Sequence, residues 1–349
     1  MNQERQSLNY PCGPAPEPGS AVEIAPGVLW LRMPLPISLD HINLYAVRDG
    51  EGWAIFDTGM HTPGTVDAWQ ALLASDGPLG GLGITRVFAT HMHPDHIGMA
   101  GWLNETLGCE LWMTFGEYMN CRVLVADCGR AAPAQGVNFY RRAGWEAKAI
   151  ENYRVRFGGY GRYITPLPQG YRRLRDGDSL RIGEHDWQVV VGEGHSPEHA
   201  CFHCPALQLL ISGDQVLPRI SSNVSVFPTE PNADPLALWL ASLEKLKRQV
   251  PNDVLVLPSH NEPFKPLHAR LDQLHDSQHR AIERLQQKLL EGPMRAVDLF
   301  SVLFKRTIDD GVLTMATGEC LANLNYLLHR GLVQVTEDDE GVAWYSSAR

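Results

Sequence analysis

Short apolar runs separated by turn residues fill the first two thirds of the chain. Residues 28–32, 42–47 (INLYAV), 53–57 (WAIFD) and 86–90 (RVFAT) have strand length, and 65–74, with Pro63 just before it, has helical periodicity. Thr90 ends an apolar strand where a polar cluster begins, and 97–107 then reads as a helix. Between about 115 and 172 the pattern changes: Gly, Arg and aromatic residues crowd together with little clean periodicity, as expected of an insertion that covers something. Strand-like runs resume with DGDSLRI, WQVVV, HACFHCP and ALQLLIS, followed by a helix at 235–248, the strand DVLVLPSH at 253–260 and a long amphipathic helix at about 266–291. From 293 to 349 the order helix (MRAVDLFSVLF), helix (TGECLANLNYLLHRG), hairpin (LVQVTEDDEGVAWYS) predicts a small winged-helix-like appendage. The Pro- and Gly-rich PCGPAPEPG at 11–19 belongs to an irregular lead-in expected over 1–24.

Composition narrows the classes. A chain of 349 residues that is 44% hydrophobic can bury a large core. Its net charge of −10, from 30 basic and 40 acidic residues, gives no whole-chain attraction for phosphate backbones or anionic lipid. The acidic EDDE of the C-terminal hairpin would repel phosphate too, so packing or homodimer formation is the expected role of that region, ahead of nucleic-acid binding. No signal-peptide core and no membrane-length apolar stretch is present, and the chain reads as cytoplasmic. Seven cysteines, an odd and scattered count, suit reduced thiols better than a disulfide framework, Cys201 and Cys204 included.

The strongest chemical signal is His91-Met92-His93-Pro94-Asp95-His96, three imidazoles and a carboxylate within six residues at a strand end. These are good ligands for zinc and similar ions. In an extended segment His91 and His93 share a side, while the turn into a helix carries Asp95 and His96 towards a neighbouring point. Three further strand ends repeat the theme: Gly194-His195-Ser196-Pro197-Glu198-His199, Ser212-Gly213-Asp214 and Pro258-Ser259-His260. Phe56-Asp57-Thr58-Gly59 ends another strand, and both Asp57 and His199 are expected to support the ligands by hydrogen bonds rather than to bind metal.

HMHPDH, GHSPEH, SGD and PSH, in this order, resemble the metallo-β-lactamase superfamily over about residues 25–265. The resemblance implies an α/β fold, the αββα sandwich, here with an inserted segment, a linking helix over 266–292 and the winged-helix-like domain at 293–349. It also implies one metal held by His91, His93, His195 and Asp214, and a second by Asp95, His96, His260 and the bridging Asp214. Zinc is the first choice of ion, with iron or manganese as alternatives. Antibiotic-hydrolysing members commonly carry cysteine where Asp214 stands, so the chain looks closer to the glyoxalase II, lactonase, thioesterase and ribonuclease branches.

Two adjacent cations would lower the pKa of a shared water towards ~7, making a metal-bound hydroxide the nucleophile, with Asp95 orienting it or accepting its proton. Seven arginines in and at the end of the insertion (Arg141, Arg142, Arg154, Arg156, Arg162, Arg172 and Arg173) suggest an anionic small-molecule substrate, such as an acyl-CoA or glutathione conjugate. Tyr160, Arg219 and Asn223 are expected to touch it. Thioester or related carboxylic ester hydrolysis is therefore the first expectation. RNA phosphodiester cleavage and lactone opening are the alternatives, with non-catalytic binding last.

Overall fold

The computed structural model describes residues 7–348. The first sheet holds seven strands in chain order: β1 (Ala21–Ala25), β2 (Val28–Pro34), β3 (His41–Asp49), β4 (Gly52–Phe56), β5 (Ile84–Phe88), β6 (Glu110–Thr114) and β7 (Arg172–Leu174). The second holds β8 (Ser179–Ile182), β9 (His185–Gly192), β10 (His199–Cys204), β11 (Leu209–Gly213) and β12 (Leu255–Pro258), again in order. The first is antiparallel up to β4 and parallel from β4 to β7; the second is antiparallel except for the parallel pair β11 and β12.

Aromatic residues join the sheets. Phe56 of β4 stacks on Phe88 of β5 at 5.0 Å and meets Phe202 of β10 edge-on at 4.9 Å, with Trp187 of β9 beside it. Such offset and edge-on pairs suit the ring quadrupole. Every residue of β4, β10, β11 and β12 is buried, as expected where a strand has sheet on one face and helices on the other. Helices α1 (Pro63–Leu73), α2 (Pro94–Ile97) and α3 (Ala100–Leu107) cover the first sheet. Its outer core also draws on α4 (Phe115–Ala126). Over the second sheet lie α7 (Pro235–Gln249), α8 (Leu267–Leu289) and α10 (Leu313–His329), after α5 (Ala134–Arg142), α6 (Ala147–Arg156) and before the hairpin β13 (Val333–Glu337) with β14 (Ala343–Ser347). The layers are thus helix, sheet, sheet, helix.

Several expectations need correction. The lead-in expected over 1–24 gives way at Ala21 to β1, which pairs with β2 across a turn at Gly27, φ 69°; its first six residues lie outside the described residues. The 115–172 segment holds more regular structure than its pattern predicts: α4, α5 and α6 occupy most of 115–156, joined by the loops 127–133 and 143–146, and the stretch after them is irregular apart from a 3₁₀ turn at Tyr160–Tyr163. The first helix expected in 293–349 is broken into a 3₁₀ turn, Ala296–Leu299, and the single turn α9 (Phe300–Leu303). Nor does that region keep a core of its own. Leu299, Leu327 and Tyr345 share one continuous apolar cluster with Leu243 of α7, Leu285 of α8 and Trp145 between α5 and α6. Among the described residues no helix is long and apolar enough to cross a membrane.

All seven cysteines are free. Cys201 and Cys204 sit three apart on β10, so their side chains point to opposite faces, one into the helix-side core and the other into the inter-sheet core. They cannot form a pair, which leaves them as buried structural thiols.

Candidate metal centre

The sequence-predicted residues leave the carboxyl ends of β4, β5, β9, β11 and β12, which all open on one edge of the sandwich. After β5 the backbone stays extended through His93, φ −59° and ψ 146°, and Pro94 then opens the short turn α2. Proline suits that first helical position because it needs no hydrogen-bonded N–H there. The break separates two groups. His91, His93, His195 and Asp214 each offer one ligand atom, all within 4.8 Å of one another, and Asp95, His96 and His260 do the same beside them.

Asp214 stands between the groups. Its Oδ2 lies 3.5 Å from His195 Nε2 and 3.6 Å from His96 Nε2, and its Oδ1 lies 3.4 Å from His260 Nε2. Asp95 Oδ2 faces the same two histidines of its group, 3.6 Å from His96 Nε2 and 3.4 Å from His260 Nε2.

The outward nitrogens are engaged, which turns lone pairs inward. His195 Nδ1–H donates to the Asn223 carbonyl at 2.7 Å, and His260 Nδ1–H to the His41 carbonyl at 2.9 Å. His96 Nδ1 meets Asp57 Oδ2 at 2.8 Å, and Asp57 also accepts the Thr90 N–H and hydroxyl. Asp57 is left-handed, φ 59°, an uncommon conformation for a side-chain-bearing residue and one that suits a position fixed by its partners. His199 supports Asp214 through the backbone. Its Nε2 accepts the backbone N–H of Asp214 at 3.0 Å, and a Cβ at Gly213 (φ 53°) would lie 2.5 Å from its ring, so glycine is required there.

The donor set fits a pair of cations. His96 Nε2 and Asp214 Oδ1 are fully buried with no hydrogen-bond partner, an arrangement that is costly unless something positive meets them. His91 Nε2 lies 2.8 Å from His93 Nδ1 and 3.2 Å from His195 Nε2, so nitrogen faces nitrogen. Burial, helped by neighbouring imidazoles, holds His91 well below the usual histidine range and pushes His93 down to about 3, which keeps both neutral and able to ligate. In the second group burial opposes charge, yet the carboxylates of Asp95, Asp57 and Asp214 raise His96 well above its ordinary value, and Asp214 and Asp95 raise His260. Burial lifts Asp95 too, but His96 and His260 outweigh it and bring the carboxyl down to about 2. Positive charge is favoured at this point whether a proton or a metal ion carries it.

Two supporting residues escaped sequence reasoning. Glu117 of α4 is fully buried and accepts the N–H of Met92 on Oε2 at 2.9 Å and the N–H of Glu198 on Oε1 at 2.8 Å. It therefore ties the loop of His91 and His93 to the loop of His195. Glu319 of α10 accepts from the side-chain amide of Asn223 at 3.1 Å, and the N–H of Val226 donates to the Gly318 carbonyl. The C-terminal region thereby holds the loop that positions His195.

Burial pushes the Glu319 carboxyl up from its ordinary 4.5 to about 7, against the Asn223 amide, which lowers it. The folded chain then holds this proton more tightly than the unfolded chain, so the group's contribution to stability falls as pH rises from about 4.5 through about 7. Glu319→Gln is expected to remove that slope. Thermal melts at pH 5 and pH 8 should show the variant gaining on the parent protein at the higher pH, and parallel pH profiles would contradict the assignment.

Beside His93 and Met92 opens a cavity of about 1020 Å³, walled by α4, α5, α6, the 225–235 loop, α7 and the start of α10. Tyr160 lines it and donates its hydroxyl to the Met92 carbonyl. Asn223 and Arg219 do not line it. Asn223 serves His195, while Arg219, expected beside a substrate, is bonded to Glu262 at 2.9 Å and lies over the Tyr10 ring. The insertion arginines do not gather there either: Arg142 pairs with Glu337, Arg172 with Glu110 at 2.8 Å, and Arg173 covers Phe115. Of the seven, Arg156 alone lines the cavity.

Known proteins resemble this chain along most of its length. A family model described as "Metallo-beta-lactamase superfamily" matches residues 37–260, and one described as "Metallo-beta-lactamase-like, C-terminal domain" matches residues 282–348. A crystal structure of a beta-lactamase domain protein from Burkholderia ambifaria is 42% identical, with a TM-score of 0.89 and 98% of each chain covered. An atrochrysone carboxyl ACP thioesterase of Aspergillus fumigatus is 23% identical over 80% of this chain and 54% of its own, so the chain spans about half that relative's length. An acyl-coenzyme A thioesterase of Gallus gallus is 26% identical over 68% of this chain and 79% of its own.

Proposed function

Because the chain belongs to the metallo-beta-lactamase superfamily, we propose that it hydrolyses a thioester, or a related carboxylic ester, of an anionic carrier such as coenzyme A or glutathione. The observation that carries the reading is the set of six side chains around Asp214, whose carboxylate faces both histidine groups. The thioesterase relatives support the choice of bond. In this reading His91, His93, His195 and Asp214 hold one divalent ion, and Asp95, His96, His260 and Asp214 hold the other. Such ions supply Lewis acidity and make water acidic enough to ionise near neutral pH.

The protein's own part is orientation and proton handling. Asp95, with its carboxyl down at about 2, is ionised throughout the physiological range and accepts a hydrogen bond from the attacking water. The water oxygen bonds to the carbonyl carbon as its protons pass by way of Asp95 to solvent, the C–S bond breaks with its electron pair on sulfur, the thiolate takes up one proton from solvent, and the acyl group leaves as a carboxylate. A thiol has a pKa of about 8.5, so the leaving sulfur needs little acid assistance. Tyr160 is in any case occupied as a donor to Met92.

The test is to measure bound metal by elemental analysis and then assay acyl-CoA and glutathione thioesters, lactones and phosphodiesters. Thioester turnover lost on chelation and in His93→Ala is the expected result. Turnover of phosphodiesters alone, or thioester turnover that survives both treatments, would overturn the reading.

A further inference from the structure

The cavity beside His93 differs in chemistry from the centre it adjoins. Val123 of α4, Phe227 of the 225–235 loop and Leu238 of α7 are 55%, 45% and 45% exposed, and all three line it. Single exposed apolar side chains are ordinary, but three from separate elements lining one solvent-open pocket form a patch that calls for an apolar occupant. Tyr153, Phe157 and Leu313 extend the same wall.

Charge points the same way. Among the described residues Arg156 is the only Lys or Arg on the lining, and its guanidinium donates to the Asp310 carbonyl at 2.8 Å, while Asp127, Glu230, Asp234 and Asp310 bring carboxylates to the wall. Asp127 is paired with Arg130 and Asp234 with Arg330, which leaves Glu230 and Asp310 as the acidic groups that disfavour a carrier's phosphates there. The far side is closed by the C-terminal region: Asn152 of α6 donates to Asp310 at 2.8 Å, just ahead of α10. At the near end lie Met92, His93 and Ser196, which place an entering group's reactive end at the candidate metal centre.

We propose that this cavity is the acyl site, taking an extended or ring-bearing neutral acyl group whose carbonyl stays at the His93 end while the charged carrier remains outside. The assignment rests on the thioester reading above and names the half of the substrate that the chain selects. It also gives the C-terminal region a task, since Asp310 and Leu313 form part of the wall.

The test uses the full-length metal-loaded protein and N-acetylcysteamine thioesters from acetyl to dodecanoyl, plus one aromatic acyl group, because this short neutral thiol removes carrier effects. With each buried methylene contributing ~0.8 kcal/mol, kcat/KM should climb about fourfold per methylene until the cavity is full. Val123→Trp and Leu238→Trp each add bulk at an exposed lining position and should lower the dodecanoyl-to-acetyl ratio of kcat/KM at least about tenfold. Binding of the neutral fluorophore N-phenyl-1-naphthylamine, read by fluorescence with and without chelator, should weaken in the same variants. Equal kcat/KM for acetyl and dodecanoyl substrates, with probe binding unchanged by both tryptophans, overturns the acyl site and leaves the hydrolase reading intact. No thioester turnover, with probe binding still sensitive to both tryptophans, overturns the hydrolase reading and leaves an apolar binding site.

Discussion

Asp214→Ala is expected to lower hydrolysis by at least about 100-fold and to reduce the bound metal together with it. The magnitude follows from position. Among the described residues Asp214 is the one carboxylate within ion-pair distance of histidines of both groups, with Oδ2 towards His96 and His195 and Oδ1 towards His260. It is also buried, 7% exposed, so water cannot replace it freely. Its carboxyl is held well below the ordinary range: burial raises it, but His260 and His96 outweigh that and keep it charged. Removing the carboxylate leaves these imidazoles facing one another and deletes, among the described residues, the one carboxylate placed between the two groups. Asp214→Asn is the sharper variant, because it keeps volume and one carbonyl oxygen while losing the charge. It should retain part of the fold's stability yet lose most of the metal. Elemental analysis after dialysis and steady-state kinetics check both variants, and full activity with unchanged metal content in either would refute a shared role for Asp214.

The centre was legible from sequence because its richest part is local. His91 to His96 occupy one strand end, so alternation and a single proline already separate the two groups. His195, Asp214 and His260 could be added only because each closes an apolar run, and the fold brings those ends together. Glu117 had no such mark. It lies in a segment where helix and loop residues alternate without a clean apolar face, and its partners are the backbone N–H groups of Met92 and Glu198, which no pattern of side chains encodes. The same weakness hid α6, which buries only Ile150 along its length, since it walls a cavity and lends the core little more than Ile150 with Ala149 and Tyr153 beside it. Counting arginines misled for a related reason. Charge along the chain says nothing about which carboxylate each guanidinium will find, and Glu337 and Glu110 claim two of them. The C-terminal boundary was blurred by packing, because Tyr345 and Leu327 complete a core begun by α7 and α8.

Glu117→Ala should destabilise the protein by about 3–5 kcal/mol and weaken metal binding by about 10- to 100-fold. The carboxylate is wholly buried and satisfies two backbone donors on separate loops, Met92 N–H at 2.9 Å and Glu198 N–H at 2.8 Å. Hydrogen bonds to a charged group contribute about 1.5–3 kcal/mol each, and truncation leaves both donors buried without an acceptor. Glu198 returns the tie, accepting the Gly116 N–H at 2.7 Å, so α4 and the His195 loop are joined in both directions. Once Glu117 is gone, His91 and His93 on one loop and His195 on the other are no longer fixed against each other, although none of them has been altered. A merely structural residue would lower the denaturation midpoint alone. A residue that positions ligands should lower zinc affinity as well, measured by competition with a chelating dye at a temperature where the variant is fully folded. Glu117→Gln supplies the control: its amide oxygen can accept one N–H while its NH₂ opposes the other, so both losses should be intermediate. Unchanged zinc affinity in the alanine variant would confine Glu117 to stability and remove it from the site.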